Sequence, residues 1–155
     1  MNTNWIWIGK FLIVIAAALV LGEVLGSLEL FKSTTLGTPK VTAGSLVRFF
    51  AHTGALVLLL MLGQRLAQQL RATGGGTARL ADPVLALITL IVTASAYVVL
   101  INFSTPFLGH GVKTMLDWTF ILGILAAAVW LVWALFQNFE AVVEAIGKST
   151  RAKTE

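Results

Sequence analysis

Apolar runs of about twenty residues, separated by short polar tracts, recur along this chain at about 5–30, 45–66, 83–104 and 114–136. A helix needs roughly 20 mostly apolar residues to cross about 30 Å of hydrocarbon. Within lipid the backbone must satisfy its own hydrogen bonds, so isolated spans of this kind are helices. The pattern predicts an all-α fold, a polytopic integral membrane protein made of one four-transmembrane-helix bundle over residues 1–155.

The breaks between runs have chemical causes. Asp82-Pro83 offers a side-chain acceptor for an N-cap, followed by a residue with no amide proton to satisfy. Gly74-Gly75-Gly76 disfavours helix by backbone entropy and separates the second and third runs. Ser104-Thr105-Pro106 stops the third, and the Ser-, Thr-, Gly- and Pro-containing tract from Lys32 to Gly44 reads as an exposed connection. The Ala16-Ala17-Ala18 run and lone Lys10 loosely resemble a secretory leader. Trp5 and Trp7 precede that lysine, however, and the stretch is expected to be a retained helix.

Composition strengthens the membrane assignment. Hydrophobic residues make up 57% of the 155, charged residues 12%, and there is no cysteine. Soluble domains run near 45–50% apolar and about 25% charged, and so short a chain has too little interior to hide the excess from water. The absence of cysteine excludes a disulfide-stapled module and a thiolate metal site. No GxxxxGK[ST], HExxH, GxSxG or GxGxxG pattern occurs, so neither an enzyme nor a metal site is expected. A haem between spans needs axial ligands at matching depth. His52 is the one histidine in a span, and His110, between Gly109 and Gly111, reads as a loop residue, so no cofactor is expected.

The net charge of +4 changes the picture only through its distribution. With four spans, the N-terminus, the second loop and the C-terminus share one side, which carries Lys10, Arg65, Arg71, Arg79, Lys148, Arg151 and Lys153. The other side carries Lys32, Lys40, Arg48 and Lys113. The positive-inside bias then puts both termini in the cytoplasm of a multi-pass protein of the cell membrane. Trp5, Trp7, Trp130 and Trp133 fall at one interface and Trp118 at the other. No basic run with interleaved aromatics occurs, so the expected contacts are membrane lipids and not nucleic acid.

Helices two and four are expected to extend into the cytoplasm. Leu62, Leu66 and Leu70 recur every four residues among polar neighbours. Beyond the fourth span, Phe136, Phe139, Val143 and Ile146 form an apolar stripe beside Glu140, Glu144 and Lys148, over about 137–147. Thr114 to Ile146 as one helix would measure about 50 Å. Such a stripe either lies on the lipid surface or docks a partner subunit.

Ionisable side chains in hydrocarbon are costly and normally face a partner or a cavity. Glu23 lies about two turns, roughly 10 Å, below the outer end of the first span, with His52 at a similar depth and Arg48 roughly one turn shallower. Arg48 and His52 share a face at i,i+4. Glu23 is therefore expected to pair with Arg48, His52 to hydrogen-bond nearby, and Tyr97 and Asn102 to complete an outer-leaflet polar cluster. Such a pair either neutralises itself and fixes helix register or forms a functional site. Lys113 and Asp117 are expected to make a second, weak i,i+4 pair near water.

Ala18, Gly22 and Gly26 repeat every four residues and form a small-residue face, suited to packing within the chain or to contact with a neighbouring subunit. Together these features suggest a small membrane protein that acts by association, as a homo-oligomer or as a structural or accessory subunit of an inner-membrane complex. The alternative is an ion or proton channel, or a small transporter subunit, using the Glu23–Arg48–His52 cluster.

Overall fold

A computed structural model of the chain describes residues 6–37, 41–140 and 143. In chain order the elements are α1 (Ile6–Ser27), a short α2 (Glu29–Ser33), β1 (Thr35–Leu36), β2 (Val41–Thr42), α3 (Ala43–Thr73), a single turn α4 (Gly75–Ala78), α5 (Ala81–Ser104) and α6 (His110–Gln137). Among the described residues four helices are long and apolar enough to cross a membrane, as in a multi-pass membrane protein.

The long helices pack antiparallel and in chain order. Along the α1–α3 seam Phe11 meets Arg65 and Glu23 meets Arg48, so residue numbers fall on one helix as they rise on the other. Arg71 with Asp82 and Phe49 with Phe103 mark the α3–α5 seam, and Tyr97 with Asp117 marks α5–α6. Among the described residues α1 and α6 do not pack extensively on each other. The four helices thus form a row, α1–α3–α5–α6, instead of closing around a common core.

Small residues hold the row together. The buried apolar positions are mostly alanine (Ala55, Ala67, Ala81, Ala86, Ala127 and Ala134), and no large side chain is wholly buried among the described residues. This is the packing expected when lipid is the solvent. Tails as apolar as leucine give no drive to sequester large side chains, and contact comes from backbones that approach closely. A Cβ on Gly63 would sit 2.7 Å from Ile88 Cγ2 across the α3–α5 seam. One on Gly26 would meet the Arg48 stem at 2.8 Å and the Gly44 carbonyl oxygen at 3.0 Å. Gly22 and Gly26 are both buried against α3, and Ala18 is half-buried. The small face of helix one is therefore occupied within the chain.

Several boundaries differ from the sequence reading. The first run breaks at Leu28, whose extended backbone (φ −60°, ψ 139°) separates α1 from α2. The tract expected as a plain connection contains a short antiparallel hairpin, with Thr35 opposite Thr42 and Leu36 opposite Val41. α3 begins at Ala43, where the Thr42 hydroxyl accepts from the Ser45 amide at 3.2 Å. It then runs 31 residues to Thr73, about 46 Å. Gly74 and Gly75 take left-handed φ values of 71° and 65°, which only glycine adopts without strain, and the turn α4 opens at Gly75 itself. His110 opens α6 and is not a loop residue, because Gly109 before it is extended.

Asp82 does not cap α5. The helix starts one residue earlier, at Ala81, and the carboxylate instead meets Arg71 Nη2 at 2.6 Å, tying α3 to α5. Both side chains are more than half exposed. Asp82→Asn is therefore expected to cost less than about 1 kcal/mol, and high salt should shrink even that Tm difference. A loss that persists in high salt would show that the contact is shielded.

α6 stops at Gln137. Asn138 turns its side-chain amide onto the Ala134 carbonyl at 2.8 Å, and its backbone amide shares the Ala134 and Leu135 carbonyls. The proposed extension over 137–147 is thus not one unbroken helix with the fourth span. Residues 141–142 and 144–155 lie outside the described residues.

Candidate functional site: a polar cleft between three helices

The C-terminal part of α1, the first turns of α3 and the C-terminal part of α5 meet at the hairpin end of the row. They enclose a cleft of about 380 Å³ lined by Glu23, Ser45, Arg48, Phe49, His52, Val98, Val99, Asn102 and Phe103. Close approach builds it. Gly22 and Gly26 flank Glu23 on α1 and let that helix lie directly on Val47, Arg48 and Ala51. The carboxylate is thereby delivered to the i,i+4 face of Arg48 and His52.

Glu23 Oε2 lies 3.2 Å from Arg48 Nε, and Glu23 Oε1 lies 3.9 Å from His52 Nε2. The first contact is an ion pair by distance, but it lacks hydrogen-bond geometry: Arg48 Nε is buried and has no hydrogen-bond partner. His52 Nδ1 is 2.7 Å from the Arg48 carbonyl oxygen one turn back on the same helix. The pair is far from sealed, with side-chain exposure of 57% for Glu23, 41% for Arg48 and 35% for His52. The protein alone therefore leaves much of this charge open to whatever fills the cleft.

The rest of the lining sorts by helix angle. Val98, Val99 and Asn102, at i, i+1 and i+4, present one face of α5 to the cleft. Beside them Phe103 stacks on Phe49, with ring centroids 4.2 Å apart and planes at 22°, and joins α5 to α3. The Ser45 hydroxyl is already committed, donating to the Thr42 carbonyl at 2.7 Å.

Tyr97 does not join this cluster. It lies on the face of α5 turned toward α6, where its hydroxyl donates to Asp117 Oδ1 at 3.0 Å and its ring packs on Phe120. Asp117 makes no ion pair with Lys113; the tyrosine hydroxyl on the adjacent helix takes that place. Sequence reasoning also missed Phe49 and Phe103. Their signal was present in the chain, an aromatic next to Arg48 and another next to Asn102, but only the α3–α5 register shows that they meet.

Of the apolar stripe, Phe136 is 78% exposed, and Phe139 and Val143 are exposed on the far side of the break at Asn138. Ile146 lies outside the described residues. Phe136 also belongs to an apolar groove of about 450 Å³ along α6, with Leu125, Ala128, Val129, Val132 and Trp133. Among the described residues no group of histidine, aspartate and glutamate is placed to hold a metal ion.

Comparison of the chain with protein-family models, with curated proteins and with solved structures finds no match in any of the three.

Proposed function

We propose that this protein acts by association in a cell membrane, as a homo-oligomer or as an accessory subunit of a larger membrane complex, without catalysis of its own. Both termini would lie in the cytoplasm, and the cleft would face the outer leaflet. The observation that carries this reading is the open row: α1 and α6 are edges with no helix beyond them among the described residues. A single row encloses no passage, so even a transport role would require further copies or partners around it. The apolar groove along α6 supplies one surface for such contact.

Native mass spectrometry of the full chain, released from mild detergent, tests this directly. A defined homo-oligomer or a hetero-complex of fixed stoichiometry is expected. A bare monomer, both in detergent and after reconstitution into lipid nanodiscs, would overturn the reading.

The second reading is a channel or transporter subunit. It is favoured by one specific feature, a carboxylate, a guanidinium and an imidazole converging on one cleft among helices that could cross a membrane. Proteoliposomes that pass no ions or protons above empty vesicles, at any pH tried, would reject it.

A further inference from the structure

The face of α6 turned away from α5 keeps a strict register. From Met115 its large side chains recur at alternating steps of three and four, through Trp118, Leu122 and Leu125 to Val129, Val132 and Phe136, and each is more than half exposed. That is the spacing of a coiled-coil seam, whose period is 3.5 residues. The opposite face is already used: Phe120 packs on Tyr97 of α5, and Ala127 and Ala134, at further steps of seven, are buried. In the middle of a wholly apolar helix any register is apolar, so the polar ends decide. Met115 and Trp118 hold the spacing among Lys113, Thr114, Asp117 and Thr119. Past the helix end, Phe139 and Val143 hold it among Asn138, Glu140 and Glu144. Contact with acyl chains alone asks for no such register.

The groove on this face has the shape of the sockets such a seam needs. In knobs-into-holes packing each seam side chain fills a hole made by four residues of the facing helix. Leu125, Ala128, Val129 and Val132 make the hole for Val129 of an identical parallel helix, and Val129, Val132, Trp133 and Phe136 make the next, for its Val132. These six residues are the lining of the 450 Å³ groove. Ala128 adds a small side chain where the facing backbone must come close. The positions flanking the seam are uncharged from Thr114 to Leu135, so identical helices laid side by side bring no like charges together. The exposed fractions of the seven seam residues amount to roughly 900 Å² per copy, the order of the ~800 Å² per partner that a standard-size interface buries.

We propose that two copies of this chain pair through α6, parallel about a two-fold axis, at the roughly 20° crossing of left-handed knobs-into-holes packing. Two copies inserted the same way into a membrane are parallel of necessity, and a two-fold axis sets each seam residue against its own counterpart. The inference rests on the association reading above and selects its homo-oligomeric form.

The chain has no cysteine, so single-cysteine variants report proximity without background. Leu122→Cys, Val129→Cys and Val132→Cys, each in the full chain, are oxidised in liposomes at rising lipid-to-protein ratio. A disulfide needs Cβ atoms about 3.5–4.5 Å apart, so these variants should give at least about fivefold more covalent dimer than Ile13→Cys. Ile13 is as exposed as Val129 but lies on the α1 edge. Trp118→Cys and Phe136→Cys should both cross-link, which fixes the register at the two ends. Native mass spectrometry of the wild type in nanodiscs should show two copies, a result that no variant's folding can disturb. Dimers by mass whose cross-links are no stronger on α6 than at Ile13 overturn the seam and leave association standing. A hetero-complex holding one copy of this chain does the same. An odd number of copies, or cross-links that fade as lipid is added, likewise overturns the pairing. A lone copy in both detergent and lipid, with no cross-links, overturns the pairing and the association reading together.

Discussion

Gly22→Leu should separate α1 from α3 and produce the largest loss of stability of any substitution in the row. A Cβ built on Gly22 would overlap the Ala51 Cβ and lie 3.8 Å from the Ala51 Cα. The obstacle is the facing helix itself, not the end of a flexible side chain. α1 must therefore move back along its whole seam, which loosens Gly26 from Gly44 and draws Glu23 away from Arg48. Overpacking of this kind typically costs about 1–3 kcal/mol, and a helix held by backbone proximity has little else with which to recover contact. Thermal melting in detergent should show a clear fall in Tm, and Gly22→Ala a smaller one. Gly54→Leu is the matched control, since nothing lies within 4 Å of its Cβ position on α3. A second control tests the mechanism: Ala51→Gly should relieve Gly22→Ala. If Gly22→Leu melts like the wild type, the two helices do not touch there.

The same seam shows what a single sequence can reveal of this protein. The four long helices were legible because crossing lipid asks for a length, about twenty apolar residues, that no soluble element of this size needs. The Glu23–Arg48 encounter was legible because opposite charges set within long apolar runs have few other partners. Depth, however, is not direction. Tyr97 and Asn102 lie in the same turns of α5, yet Asn102 lines the cleft while Tyr97 points to Asp117 on α6. Thr93, one turn below Tyr97, likewise approaches α6, where its methyl would lie 3.8 Å from a Cβ on Gly123. Assigning Tyr97 to a face required knowing that the helices stand in a row, and hydropathy carries no information on lateral order.

Helix ends were missed for a different reason. Side chains there choose between local and tertiary partners of similar worth. Asp82 could have capped α5 but pairs with Arg71 on the neighbouring helix. Asn138 could have continued α6, but its amide turns back on the Ala134 carbonyl and the helix ends. Such choices are separated by about a kilocalorie, well below what an apolar pattern can report.

Removing Glu23 alone should harm the protein more than removing Glu23 and Arg48 together. Glu23→Gln leaves a guanidinium whose Nε is already buried, with no carboxylate at 3.2 Å. Part of the exposed area of Arg48 faces headgroups or acyl chains on the membrane reading, so bulk water cannot fully replace the lost partner. Insertion scales put an arginine at the centre of a span at about 2.5–3.5 kcal/mol. Arg48 lies on the second turn of α3, close to the end of that helix, so about 1–2 kcal/mol is the expected loss for Glu23→Gln. Arg48→Met keeps an unbranched stem against Gly26 while deleting the charge, and in the Glu23→Gln background it should restore part of that stability. A double-mutant cycle by thermal or chemical unfolding in detergent reads the coupling. Strictly additive losses would mean that the two groups do not interact energetically despite their proximity. A Glu23→Gln variant as stable as wild type would mean that other groups, lipid phosphates foremost, already satisfy Arg48.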